Sequence, residues 1–139
     1  MKVASFNVNS IRARLKIVLD WLQKESPDVL CLQETKVTDA EFPQAAFEDI
    51  HYHAVFCGEK SYNGVAILSK IPLKNVRMGF DESGADGTRL ITATVNKISI
   101  VNTYIPQGVH LLLKQFRYKL DWFQRLYDYF GRNFQPEKE

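Results

Sequence analysis

Nowhere in this 139-residue sequence does an apolar run approach the roughly 20 residues that span a bilayer, which excludes a membrane helix. Cysteine is scarce. Cys31 and Cys57 stand alone, without CxxC spacing, so neither a zinc site nor a disulfide framework is signalled, and two reduced thiols are expected, Cys31 in the core. An excess of one charge is lacking too: the formal net charge of +2 permits an anionic partner without demanding one. The opening Met1-Lys2-Val3-Ala4-Ser5-Phe6-Asn7 meets polar residues too early for a signal-peptide apolar region, so a soluble cytoplasmic protein is expected. No repeat, low-complexity tract or linker divides the chain, and a single domain over 1–139 follows.

What is present is a hydrophobic fraction of 45% beside a charged fraction of 24%, enough for a real core. Val3 to Val8 has strand character. Ser10 is placed to cap a helix whose apolar residues Ile11, Leu15, Val18, Leu19 and Leu22 share one helical face. Ser26-Pro27-Asp28 stops that helix, and Val29 to Leu32 is an apolar run suited to a strand buried on both faces. Strand, helix, strand is a βαβ unit, which makes the two strands parallel. Downstream, Pro43 opens a short helix, and His51–Phe56 with Gly64–Leu68 reads as an antiparallel pair. A strand is expected over Val76–Phe80, then a hairpin of Leu90–Val95 and Ile98–Tyr104 around Asn96-Lys97. The last helix, from Lys114 to Gly131, is predicted to bury Phe116, Leu120, Phe123, Tyr127 and Phe130.

Three strands end in polar, turn-prone sequence: at Asn7 and Asn9, at Gln33 to Lys36, and at Tyr104 to Gly108. Open α/β sheets bind ligands just beyond the carboxyl ends of their strands, so these ends read as one rim of a cleft. A Glu at position 34 is placed to hold a hard cation such as Mg²⁺, which prefers oxygen ligands. An Asn can hold ligand or coordinated water, a phenol can contact a phosphate, and Lys36, Arg12 and Arg89 can counter backbone charge. Such a set suits a metal-activated water attacking a phosphodiester.

The stretch Pro27-Asp-Val-Leu-Cys-Leu-Gln-Glu-Thr-Lys36 resembles the metal-site signature of the exonuclease III family of apurinic/apyrimidinic endonucleases. Ser5-Phe-Asn-Val-Asn-Ser-Ile-Arg-Ala-Arg14 is similar to that family's first strand and helix. Asn63-Gly64-Val65-Ala66, Arg89-Leu90-Ile91 and Asn102-Thr-Tyr-Ile-Pro-Gln-Gly108 line up in the expected order. The resemblance implies an α/β fold, the N-terminal half of a four-layered, DNase I-like sandwich, here one mixed sheet with flanking helices. It implies that Glu34 binds Mg²⁺ (Mn²⁺ being the alternative), that Asn7 supports the metal site, and that Glu34 and Tyr104 are catalytic. Asn9, Lys36, Arg89, Gln107, Gly108 and Lys119 would contact double-stranded DNA at abasic sites or 3′ ends.

The sequence departs from the family where its Gly-Asp-x-Asn and Ser-Asp-His motifs would stand; no aspartate here precedes a histidine. Val109-His110-Leu111-Leu112-Leu113 is apolar where relatives are polar. Two alternatives therefore stand beside a DNA-repair nuclease: a catalytically incomplete module serving only binding or association, and a superfamily phosphatase acting on non-DNA phosphates. With only half of a two-sheet sandwich, an uncovered sheet face is expected, and with it self-association or capture of the complementary half.

Overall fold

The computed structural model describes residues 1–108 and 113–136. The chain forms two compact units, 1–104 and 105–139. In the first, β1 (Val3–Asn7) leads into α1 (Ile11–Glu25) and returns through β2 (Val29–Gln33). Ser10 Oγ accepts the Ala13 N–H at 3.3 Å, and Ser26 closes the helix in the left-handed region, its N–H donating to the Leu22 carbonyl. β1 and β2 are parallel, Asn7 opposite Gln33, as the βαβ pattern predicts. α2 (Gln44–Glu48) precedes an antiparallel pair, β3 (His53–Cys57) and β4 (Val65–Ser69). β4 also pairs with β2, so the order is β1-β2-β4-β3 and the sheet is mixed.

The remaining strands do not join it. β5 (Lys74–Met78), β6 (Leu90–Val95) and β7 (Ile98–Thr103) make a separate antiparallel sheet, where one mixed sheet had been the expectation. The Asn96-Lys97 turn has φ of 48° and 68°, the left-handed pair that a tight two-residue hairpin requires. β5 begins two residues earlier than predicted; it is an exposed edge strand with an irregular register between Lys74 and Arg77, so burial does not mark its ends.

Two cores explain the apolar run in β2. Leu30 and Leu32 face Ile11, Val18, Leu22 and Phe47 of the helices, whereas Val29 and Cys31 face the second sheet at Ile91, Ala93 and Val95. Alternate residues of one strand thus enter different cores, and every position must be apolar. The inner face of the four-stranded sheet is consequently not bare: three strands of the same chain cover it, which corrects the expected uncovered face. Among the described residues β1 pairs only with β2, which leaves an edge open there, with Val3 and Phe6 48% and 41% exposed. Among the described residues no helix is long and apolar enough to cross a membrane.

The second unit holds α3 (Lys114–Asn133), two residues longer than predicted. The buried side chains are Trp122 and Tyr129, two turns apart, while Leu120, Phe123, Tyr127 and Phe130 of the predicted face are exposed. The helix carries two apolar stripes, and periodicity identifies both without saying which is buried. Of the apolar run at 109–113, residues 109–112 lie outside the described residues, and Leu113 is exposed.

Candidate active site

Parallel pairing puts the ends of β1 and β2 side by side, and the ladder continues past them. Val8 donates to the Gln33 carbonyl at 2.9 Å, Ser10 to that of Glu34 at 2.8 Å and Ile11 to that of Thr35 at 3.1 Å, which ties the start of α1 to the segment after β2. On its other side this segment leans on the loop before β4, Thr35 and Lys36 donating to the Gly64 and Asn63 carbonyls. The approach is close enough that a Cβ on Gly64 (φ +96°) would fall 2.0 Å from Thr35 Oγ1.

The backbone here is costly. Asn9, Ser10, Glu34 and Lys36 all have positive φ, at 42°, 85°, 55° and 56°. Glu and Lys each spend about 1 kcal/mol or more in that region, and such strain concentrates where geometry serves function. The result is to turn Glu34 and Lys36 toward the end of β1. Asn7 Nδ2 donates to Glu34 Oε1 at 2.8 Å, Asn7 Oδ1 accepts the Asn9 N–H at 3.1 Å, and Lys36 Nζ donates to Asn9 Oδ1 at 2.6 Å while lying 3.3 Å from Glu34 Oε2.

The second sheet contributes Tyr104, just past β7. Its phenol lies close enough to the Glu34 carboxylate for each to shift the other's protonation. Arg89 fixes it from behind: the Tyr104 N–H donates to the Arg89 carbonyl at 2.8 Å, Arg89 Nη1 donates to the Tyr104 carbonyl at 3.2 Å, and the guanidinium lies 4.8 Å from the phenol ring centre. Asn7, Asn9, Glu34, Lys36, Arg89 and Tyr104 are therefore brought together. Gln107, Gly108 and Lys119 belong to the second unit, where Lys119 packs beside Gly108 and its ammonium lies 5.9 Å from the Phe123 ring centre. Trp21 of α1 is 37% exposed.

The Asn7 amide is the strongest influence on Glu34 and holds its carboxyl below the usual range, against partial desolvation and with help from Tyr104 and Lys36. Burial first, then the Glu34 acceptor, pushes the Tyr104 phenol up, so at neutral pH it stays protonated and donates. Burial also raises the Cys31 thiol to about 11, consistent with an inert core cysteine. A depressed carboxyl stabilises the fold above its unfolded value, near 4.5, and that contribution disappears as pH falls through the lower folded value. Thermal melts of the wild type and Glu34→Gln should therefore differ at neutral pH and converge in acid; a gap that widens in acid would contradict this charge state.

The donor set fits a hard divalent cation. Glu34 is anionic and its side chain is only 15% exposed, and Mg²⁺ binds through one or two carboxylates, keeping waters and taking substrate phosphate oxygens. Asn7 presents its nitrogen to Glu34 and spends its oxygen on Asn9, so in this arrangement it aims the carboxylate. Among the described residues no three His, Cys, Asp or Glu side chains form a closed metal cage.

The sequence reading missed the polar bridge beneath this rim, made by Ser5, Gln33 and Asn102. Gln33 Nε2 donates to Ser5 Oγ at 3.0 Å and to Asn102 Oδ1 at 2.8 Å. Asn102 Nδ2 reaches the Leu32 and Ala66 carbonyls of the other sheet at 2.9 and 2.8 Å. The available signal was an amide following the apolar pair Ile100-Val101 inside a strand.

A two-sheet α/β sandwich with a carboxylate, an amide, a phenol and two cations at its strand ends has the build of a DNase I-like hydrolase. The sequence matches the model of the Endonuclease/Exonuclease/phosphatase family over residues 4–138, and the chain belongs to that family. It is 39% identical over 113 residues to exodeoxyribonuclease III of Haemophilus influenzae, covering 78% of this chain and 42% of that protein. The structure of an AP endonuclease from Archaeoglobus fulgidus superposes with a TM-score of 0.94 at 47% identity, over 97% of this chain and 52% of that one. A Neisseria 3′ phosphatase bound to product DNA hairpin gives 0.87 at 38%, over 93% and 51%. The chain thus spans about half the length of the relatives it matches.

Proposed function

We propose that this chain carries the metal-binding half of a Mg²⁺-dependent DNA-repair nuclease of exonuclease III type, cutting the backbone at abasic sites and trimming 3′ ends in the cytoplasm. The observation that carries this reading is the anionic Glu34, held between the Asn7 amide and the Tyr104 phenol at the strand ends. It is joined by the names of the relatives, an exodeoxyribonuclease and an AP endonuclease. When bound, a divalent ion (Mg²⁺ or Mn²⁺) lowers the pKa of its water and offsets charge developing on the phosphate. Glu34 holds that ion and Asn7 fixes the carboxylate's direction. Tyr104 offers its phenolic proton to a phosphate oxygen. Lys36, Asn9 and Arg89 take backbone phosphates of double-stranded DNA, with Gln107, Gly108 and Lys119 as further contacts. The resemblance to the exonuclease III family beyond Glu34, at Pro106-Gln107-Gly108, favours DNA over smaller phosphate esters. The test is incubation with duplex DNA containing one abasic site, with and without Mg²⁺. Metal-dependent incision is expected; its absence would leave a binding or association module.

A second reading concerns association, and the open β1 edge favours it. Beside that edge, Ala4, Phe6, Ile17, Trp21 and Leu30 line an apolar groove of roughly 290 Å³. An unpaired strand flanked by exposed apolar side chains recruits another strand, and in the isolated chain the partner is β1 of a second copy. Light scattering should give twice the 16.0 kDa of the chain, reverting to the single mass in Phe6→Lys. A wild-type monomer at micromolar concentration would sink this reading.

A further inference from the structure

Hydrophobic contact between the two sheets is non-directional, so the apolar core alone does not fix how one sheet sits along the other. Yet the candidate site needs that register, because Glu34 follows a strand of one sheet and Tyr104 a strand of the other. The directional contacts are those of Asn102, which is 2% exposed and uses its whole carboxamide. Its two N–H groups go to Leu32 and Ala66, residues paired across β2 and β4, and its oxygen accepts from Gln33, which also reaches Ser5. The members are spaced tellingly along their strands. Ser5 precedes Asn7 by two residues, Gln33 precedes Glu34 by one, Asn102 precedes Tyr104 by two, and Ala66 follows Gly64 by two. Each strand end that builds the rim is therefore anchored one step below it.

We propose that Asn102, acting with Gln33, is a positioning residue that locks the two sheets in register so that the Glu34 carboxylate and the Tyr104 phenol meet. Its catalytic meaning rests on the nuclease reading above; the coupling itself does not. Stability alone is a poor reason for the bridge, because apolar groups of similar shape can replace a buried polar network with little loss. Misplacement is different, since an error of about 1 Å in a reacting group can cost a hundredfold in rate.

The experiment compares wild type, Asn102→Leu and Gln33→Met in the whole chain, with Ile91→Val as a control in the same inter-sheet core. Amide hydrogen exchange by NMR is read at the rim (Val8, Ser10 and Tyr104) and in mid-sheet (Leu30 and Ile67). Asn102→Leu should speed rim exchange at least about tenfold and leave mid-sheet exchange within a factor of about three, with Gln33→Met giving a smaller effect of the same pattern. Ile91→Val should not separate the two groups. Mn²⁺ affinity, read by electron paramagnetic resonance, should fall about 10–100-fold in Asn102→Leu, the range seen when partners behind a metal ligand are removed. Equal acceleration of rim and mid-sheet amides, or none, in both variants would overturn the proposal. Should Asn102→Leu fail to fold, Gln33→Met decides by the same criterion. Wild type that binds no Mn²⁺ would defeat the nuclease reading, and the exchange pattern would still decide the coupling.

Discussion

Glu34→Ala should abolish metal-dependent incision, by about a hundredfold at the least, because residues merely supporting a metal ligand already cost 10–100-fold when removed. The alanine deletes the carboxylate that accepts from Asn7, lies beside the Tyr104 phenol and faces the Lys36 ammonium. Asn7 then loses its acceptor and Lys36 its facing charge. Losing a member of a set that acts as a unit costs most of what the set achieves, so Asn7→Ala should be clearly milder than Glu34→Ala, and the double variant little worse than Glu34→Ala alone. Quantified single-turnover cleavage of an abasic duplex reads all three. If Glu34→Ala cleaved at the wild-type rate, the carboxylate would have no part in the chemistry.

The largest effect on stability is expected from Ile67→Ala. Ile67 is fully buried on β4, opposite Cys31 of β2 and Val55 of β3, and it belongs to the core where Ile91, Ala93 and Val95 of the second sheet meet the first. Truncation removes apolar contact and leaves a cavity between two sheets that cannot both relax, at about 2–5 kcal/mol. Ile17→Ala, on the exposed face of α1 with 62% of its surface in solvent, should stay within about 0.5 kcal/mol. Urea unfolding of the two variants makes the comparison. A cost below about 1 kcal/mol at Ile67, well under the usual core range, would mean that the sheets are not packed face to face as described.

The β1-α1-β2 unit was legible because three independent signals agreed: the helical spacing from Ile11 to Leu22, the Ser10 and Ser26 ends, and a four-residue apolar run too short for a helix. That agreement also brought Asn7 and Glu34 to one rim. The division into two sheets was not legible, since nothing in β5 or β6 marks a change of sheet; a strand carries its alternation whichever sheet it joins. The stripe on α3 misled for a related reason, as Trp122 and Tyr129 lie on a second apolar stripe of equal period. Asn102 escaped because a lone amide in a strand is compatible with either face, and only its partners on β2 and β4, 36 or more residues away in sequence, explain its burial. The left-handed backbone at Glu34 and Lys36 was hidden as well, neither being a residue type that advertises positive φ.

Co-crystallisation with Mn²⁺, read through anomalous scattering, tests most directly whether this rim is a metal site. A manganese peak is expected roughly 2 Å from a Glu34 carboxylate oxygen, at inner-sphere distance, with the Tyr104 hydroxyl on the same rim. Manganese bound elsewhere, or a Glu34 side chain turned away from both Asn7 and Tyr104, would contradict it.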